Sequence, residues 1–176
     1  IKNNIKGSFA SGGITGYLDG GTIENCVNKA SISNVSMTGT GGIVGYVGTA
    51  GGKITGCINL GNISSKLNAV GGIVGTTGSY LDSLNIEQCI NLGQLVGESY
   101  ISGILGNSGA ASININNCIN LGTINAESTS FTYASGITTP SAACTVSSCI
   151  NVGQVSATSG TSANSGAISS IPENGI

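Results

Sequence analysis

The heptapeptide Cys57-Ile58-Asn59-Leu60-Gly61-Asn62-Ile63 decides the fold, because it recurs four more times along the chain. The copies are Cys26-Val27-Asn28-Lys29-Ala30-Ser31-Ile32, Cys89-Ile90-Asn91-Leu92-Gly93-Gln94-Leu95, Cys118-Ile119-Asn120-Leu121-Gly122-Thr123-Ile124 and Cys149-Ile150-Asn151-Val152-Gly153-Gln154-Val155. Their cysteines stand 31, 32, 29 and 31 residues apart, a self-similarity that belongs to stacked repeat architectures.

Outward from this motif, a second anchor precedes each copy: Gly12-Gly13-Ile14, Gly41-Gly42-Ile43, Gly71-Gly72-Ile73, Ser102-Gly103-Ile104 and Ser135-Gly136-Ile137. A sixth, Gly166-Ala167-Ile168, follows the last copy. An aliphatic residue stands three positions before each cysteine, at Ile23, Ile54, Ile86, Ile115 and Val146. Each unit therefore reads as three short β-rich segments separated by Gly, Ser, Asn and Thr, and no stretch has helical periodicity. The expectation is an all-β chain, a right-handed parallel β-helix of about five coils, each of roughly 30 residues and three short strands, stacked at about 4.8 Å. The repeat units run approximately 12-40, 41-70, 71-101, 102-134 and 135-164, with a partial sixth from 165, in one segment spanning 1-176. The opening Ile1-Lys2-Asn3-Asn4-Ile5 has the character of mid-chain sequence, so a piece excised from a longer chain is expected, with Ile5 in the last strand of an earlier coil. The Ile14, Ile43, Ile73, Ile104, Ile137 column and the Ile23, Ile54, Ile86, Ile115, Val146 column are both expected to face inward. Variable spacing marks two loop corners, one between the Gly anchor and the cysteine and one between the last strand and the next anchor.

Composition removes several function classes. Charged residues make up 7% of the chain, with five Lys, no Arg, no His and a net charge of -2. Nucleic-acid binding needs clustered cations to displace counterions, and Lys2, Lys6, Lys29, Lys53 and Lys66 do not supply them. Polar residues interrupt every apolar stretch, so no bilayer-spanning segment is expected. One cysteine per coil with no histidine does not make a zinc site, and no metal or cofactor is expected. Cys26, Cys57, Cys89, Cys118 and Cys149 are instead expected to form a buried, reduced thiol ladder, with Cys144 the odd thiol out. Asn28, Asn59, Asn91, Asn120 and Asn151 are expected to form an amide ladder that satisfies corner carbonyls.

The acidic candidates are Tyr17-Leu18-Asp19 with Glu24 and Tyr80-Leu81-Asp82 with Glu87, matched by their offset from the following cysteine. Equivalent carboxylates two coils apart would stand about 10 Å from each other, at the upper end of the range for an inverting glycosidase. Without Arg, His or Trp, solvated loop residues are the better reading than a catalytic pair.

Gly41-Gly42-Ile43-Val44-Gly45-Tyr46, with Gly52-Lys53-Ile54 and Gly61-Asn62-Ile63, resembles the GLUG-motif repeats of bacterial surface proteins. Gly12-Gly13-Ile14-Thr15-Gly16-Tyr17 with Gly21-Thr22-Ile23 matches nearly as well. The resemblance implies an extracellular or cell-surface, adhesin-like segment. The expectation is thus a structural or adhesive repeat without catalytic activity, with glycans, host or matrix proteins, or self-association through the rod ends as its contacts. The alternatives are a carbohydrate-active β-helix enzyme and a self-assembling filament subunit.

Overall fold

The computed structural model describes residues 4–5, 9–34, 39–66, 69–109, 111–139 and 144–169. They form an all-β solenoid of about five turns, with no helix among the described residues. Every strand pairing is parallel and joins equivalent positions of successive turns: Val27 with Ile58, Ile58 with Ile90, Ile90 with Ile119 and Ile119 with Ile150. Asn4–Ile5 pairs with Ser31–Asn34, which places Ile5 beside Ile32 in the last strand of a turn, as its spacing predicts.

Where three strands per turn are expected, the first four turns have five each, in five sheets labelled A to E in chain order from Asn4–Ile5; in the fifth, Thr138 makes only single bridges in sheet C's place. In the second turn the chain passes through Gly39–Gly41 in sheet B, Val44–Val47 in C, Gly52–Thr55 in D, Ile58–Asn59 in E and Ile63–Ser65 in A. The Gly-Gly-Ile anchor ends the sheet B strand and bends the chain into sheet C. The Cys-Ile-Asn stretch carries a two-residue strand of its own. Side chains alternate along the heptapeptide: Cys57, Asn59, Gly61 and Ile63 are buried, Leu60 and Asn62 are exposed, and Ile58 is partly exposed.

The interior is divided into two aliphatic clusters. One holds Ile43, Val44, Val47, Ile54 and Cys57 with their equivalents in the later turns, enclosed by sheets C, D and E. The other holds Ile32, Ile63, Leu95 and Ile124 of sheet A against Val70, Ile101 and Ala134 of sheet B. Between them the second glycine of each anchor meets the Asn column. A Cβ on Gly42 would lie 2.4 Å from Asn59 Cγ, and one on Gly72 or Gly103 at the same 2.4 Å from Asn91 or Asn120 Cγ. No side chain fits in that gap, so the glycine is dictated by close approach. In the sixth anchor Ala167 takes the position, where no sixth Asn faces it among the described residues.

Both aliphatic columns lie inside, with qualifications at the ends. Ile43, Ile73, Ile104 and Ile137 are fully buried, as are Ile54, Ile86 and Ile115, while Ile23 and Val146 are partly buried against the same cluster. Ile14 departs from the expectation and is 44% exposed. It belongs to the first turn, and no described strand of sheet B or C lies beneath it. The insertion-tolerant corner after the anchor appears in the third turn, where Leu81–Glu87 is lengthened and its register against the next turn shifts between Leu81 and Leu84. The other variable corner falls at 35–38 and 67–68 in the first turns, outside the described residues, as do Lys2 and Lys6.

The residue before each cysteine adopts a left-handed backbone: Asn25 (φ 53°), Gly56 (63°), Gln88 (54°), Asn117 (53°) and Ser148 (52°). The turn from sheet D to sheet E requires it, and only glycine takes this conformation without steric cost, with Asn the best tolerated alternative. Gln88→Gly is therefore expected to raise unfolding free energy by about 1 kcal/mol, and Gly56→Ala to lower it by about the same amount. Chemical denaturation of the two variants checks both signs.

Candidate functional site

The asparagine column is a continuous amide chain. Asn28 Nδ2 donates to Asn59 Oδ1 at 2.8 Å, Asn59 to Asn91 at 2.8 Å, Asn91 to Asn120 at 2.8 Å and Asn120 to Asn151 at 2.7 Å. The second N–H of each donates to the carbonyl two residues on, as from Asn59 to Gly61 at 2.9 Å and from Asn91 to Gly93 at 3.1 Å. The Oδ1 of Asn59 and of Asn91 also accepts from that residue's N–H, at 3.2 Å in both turns. Asn59 and Asn91 thus use both donors and both acceptor positions with no solvent exposure.

The thiols form a column along the rod. All six cysteines are free; Cys57, Cys89 and Cys118 are fully buried, while Cys26 and Cys149, in the terminal turns, are partly buried. Each Sγ after the first reaches the carbonyl of the preceding turn's aliphatic residue: Cys57 to Ile23 at 3.8 Å, Cys89 to Ile54 at 3.7 Å, Cys118 to Ile86 at 3.5 Å and Cys149 to Ile115 at 3.6 Å. Hydrogen bonds between neighbouring thiols, together with burial, raise Cys57 and Cys118 above the usual thiol range, while Cys89, placed between them, is drawn the other way by the same bonds. No described cation lies inside the coil to hold a sealed thiolate, so burial opposes charge on Cys57, Cys89 and Cys118. Cys144 continues the Leu84 and Ile113 column of sheet D, and burial pushes its thiol up to about 11.

The acidic candidates separate into two places. Tyr17 and Tyr80 share an offset from cysteine but not a position. Tyr17 lies in sheet C, paired with Tyr46, and the two rings stack at 5.5 Å and 8°. Tyr80 precedes Leu81–Glu87 of sheet D and is 85% exposed. The lengthened third turn breaks the equivalence, so counting from the anchor would have matched Tyr17 with Tyr46. Even so, the Thr49-Ala50 turn draws several candidates together. Asp19 Oδ1 accepts from Ala50 N–H at 2.8 Å, the Asp82 N–H donates to Thr49 O at 2.9 Å, and Tyr80 and Asp82 line a shallow open hollow with Thr49 and Ala50. Tyr17 stands beside Gly48 at the start of this turn.

Glu24 and Glu87 are equivalent: both register with Thr55, one turn on either side of it, on the outer face of sheet D. Glu87 pairs with Lys53 at 2.9 Å, an ion pair open enough to solvent to contribute under about 1 kcal/mol. No group of three or more metal-ligating side chains is found among the described residues.

Asn91→Ala would strand the amide of Asn59, the acceptor of Asn120 and the backbone groups of Gly93 in a sealed interior. A loss of about 3 kcal/mol of unfolding free energy is expected in denaturant titration. With a thiol reagent the native chain should react at Cys26 and Cys149 alone, and at all six cysteines once denatured without reductant. Recovery of two or fewer thiols after denaturation would contradict the reduced ladder. No family model, no curated protein and no solved structure matches this chain.

Proposed function

We propose that this chain is a non-catalytic structural or adhesive repeat segment of a larger extracellular surface or fibrous protein. The observation that supports this reading most is how the recurring residues are used. Cysteine, asparagine and the inner aliphatics are spent on stacking one turn on the next, while the acids lie on open surface, two of them already engaged with Ala50 N–H and Lys53. The resemblance to GLUG-motif repeats adds the surface location. No helix among the described residues is long and apolar enough to cross a membrane. The contact region of the adhesive reading is the Thr49-Ala50 turn. There the exposed ring of Tyr80 offers a stacking platform, and Asp82 offers a carboxylate acceptor to the hydroxyls of a glycan or to a matrix protein.

The second reading, a carbohydrate-active β-helix enzyme, draws on Asp19 and Asp82 both meeting the Thr49-Ala50 turn, beside the hollow that Tyr80 and Asp82 line. A third, end-to-end filament growth, draws on the parallel stacking of each turn on the next. An array of glycans and matrix proteins run beside a polysaccharide hydrolase screen distinguishes these readings. Retention without turnover is expected, weakened in Tyr80→Ala. Turnover that disappears in Asp19→Asn or Glu87→Gln would overturn the proposal in favour of the enzyme.

A further inference from the structure

Half of the heptapeptide has no role inside the coil. Cys and Asn of Cys-Ile-Asn-Leu face inward, but the Ile and Leu positions face out at every turn. Their exposure is 46% at Val27, 44% at Leu60, 44% at Leu92, 46% at Leu121, 53% at Ile150 and 70% at Val152. The Ile positions of the three middle turns lie between them, partly exposed. Backbone hydrogen bonds keep the Leu column in register, from Leu60 N–H to Asn28 O, Leu92 to Asn59 and Leu121 to Asn91, each at 2.8 Å. Two aliphatic ridges thus run side by side along the rod.

We propose that this outer face of sheet E is where a second copy of this chain docks, face to face and antiparallel, about a two-fold axis at the middle turn. Three features select this occupant. The first is area. The two ridges present on the order of 500 Å² of contiguous aliphatic surface, as much as the largest patch of an ordinary monomer. Two such faces together bury roughly 1,000 Å², the lower bound for a specific interface. The second is pitch. The ridges repeat once per turn, and a second solenoid has the same repeat, so its side chains interdigitate with these along the whole length; a surface of unrelated spacing loses register within a few turns. The third is charge. Lys29 is the one charged residue in the two columns, and the neighbouring outward column carries Asn62, Gln94, Thr123 and Gln154. Asp19, Glu24, Asp82 and Glu87 belong to the segments around sheets C and D. Two copies therefore meet without opposed like charges, provided that they run antiparallel. Lys29 then lies toward the Val152 end of its partner, whereas a parallel pair would set one Lys29 against the other.

Sedimentation equilibrium of the intact chain tests this. The wild-type protein is expected to be a reversible dimer with a dissociation constant on the order of micromolar, as suits an interface of minimal area. Leu92 belongs to the middle turn and lies near the proposed axis, so Leu92→Lys and Leu92→Glu should each repel their own copy and weaken the dimer at least about tenfold. A one-to-one mixture of the two should restore it. Circular dichroism verifies that the strands are retained, and Leu92→Ser, expected to weaken the dimer in the same direction, replaces either charged variant that fails to fold. A wild-type chain that stays monomeric up to about 100 μM, a dimer indifferent to all three variants, or a mixture that remains monomeric would overturn the proposal.

Discussion

The fold depends on one contact, that between the Asn side-chain amide and the second glycine of the anchor. The amide is large enough to reach across the coil, and the glycine is small enough to let the opposite corner come in to meet it. This contact divides the interior into two clusters, each narrow enough for a single layer of Ile, Leu and Val to fill. It also fixes register. A slip by one residue would turn every Asn outward and set aliphatic side chains against backbone carbonyls that only an amide satisfies. Because each Asn is bonded to its copies above and below, no turn can shift alone.

Much of this was legible in the sequence, and the portion that was not has identifiable physical causes. The period of the Cys-Ile-Asn-Leu-Gly motif fixes the stacking of turns, and period-two alternation within it fixes which side chains point inward. The identical offsets of Asn28, Asn59, Asn91, Asn120 and Asn151 foretell the amide chain. The number of strands was not legible, because a corner and a strand have similar composition when the bend is made by close glycine approach in place of proline or a polar turn. The left-handed residue before each cysteine was also hidden. Asn25, Gly56, Gln88, Asn117 and Ser148 share no chemistry, only a backbone conformation. The pairing of Tyr17 with Tyr80 failed for a different reason. An offset counted across an insertion-tolerant corner carries no register information, and the third turn is longer there.

Inside and outside obey different constraints in this molecule. The interior is nearly identical from turn to turn because each inner side chain must fit copies of itself above and below. The outer face of sheet D changes at each step, from Glu24 to Thr55 to Glu87 to Asn116 to Ser147, in one register column. Such variation is free wherever a side chain meets only water. The outer face of sheet E, where aliphatic character persists from Val27 to Ile150, does not share that freedom.

Because every backbone hydrogen bond between turns runs along the rod, tension applied between its two ends is resisted by those bonds end-on, one turn's worth at a time. A β-sandwich pulled along its strands is instead loaded in shear across many bonds at once. A turn peeled from the end of this solenoid leaves the next with its ladders intact, so yielding is stepwise, and each step releases one 31-residue turn, about 100 Å of extended chain. The molecule therefore behaves under load as a series of fuses of similar strength, which lengthens in steps and absorbs work before the whole gives way.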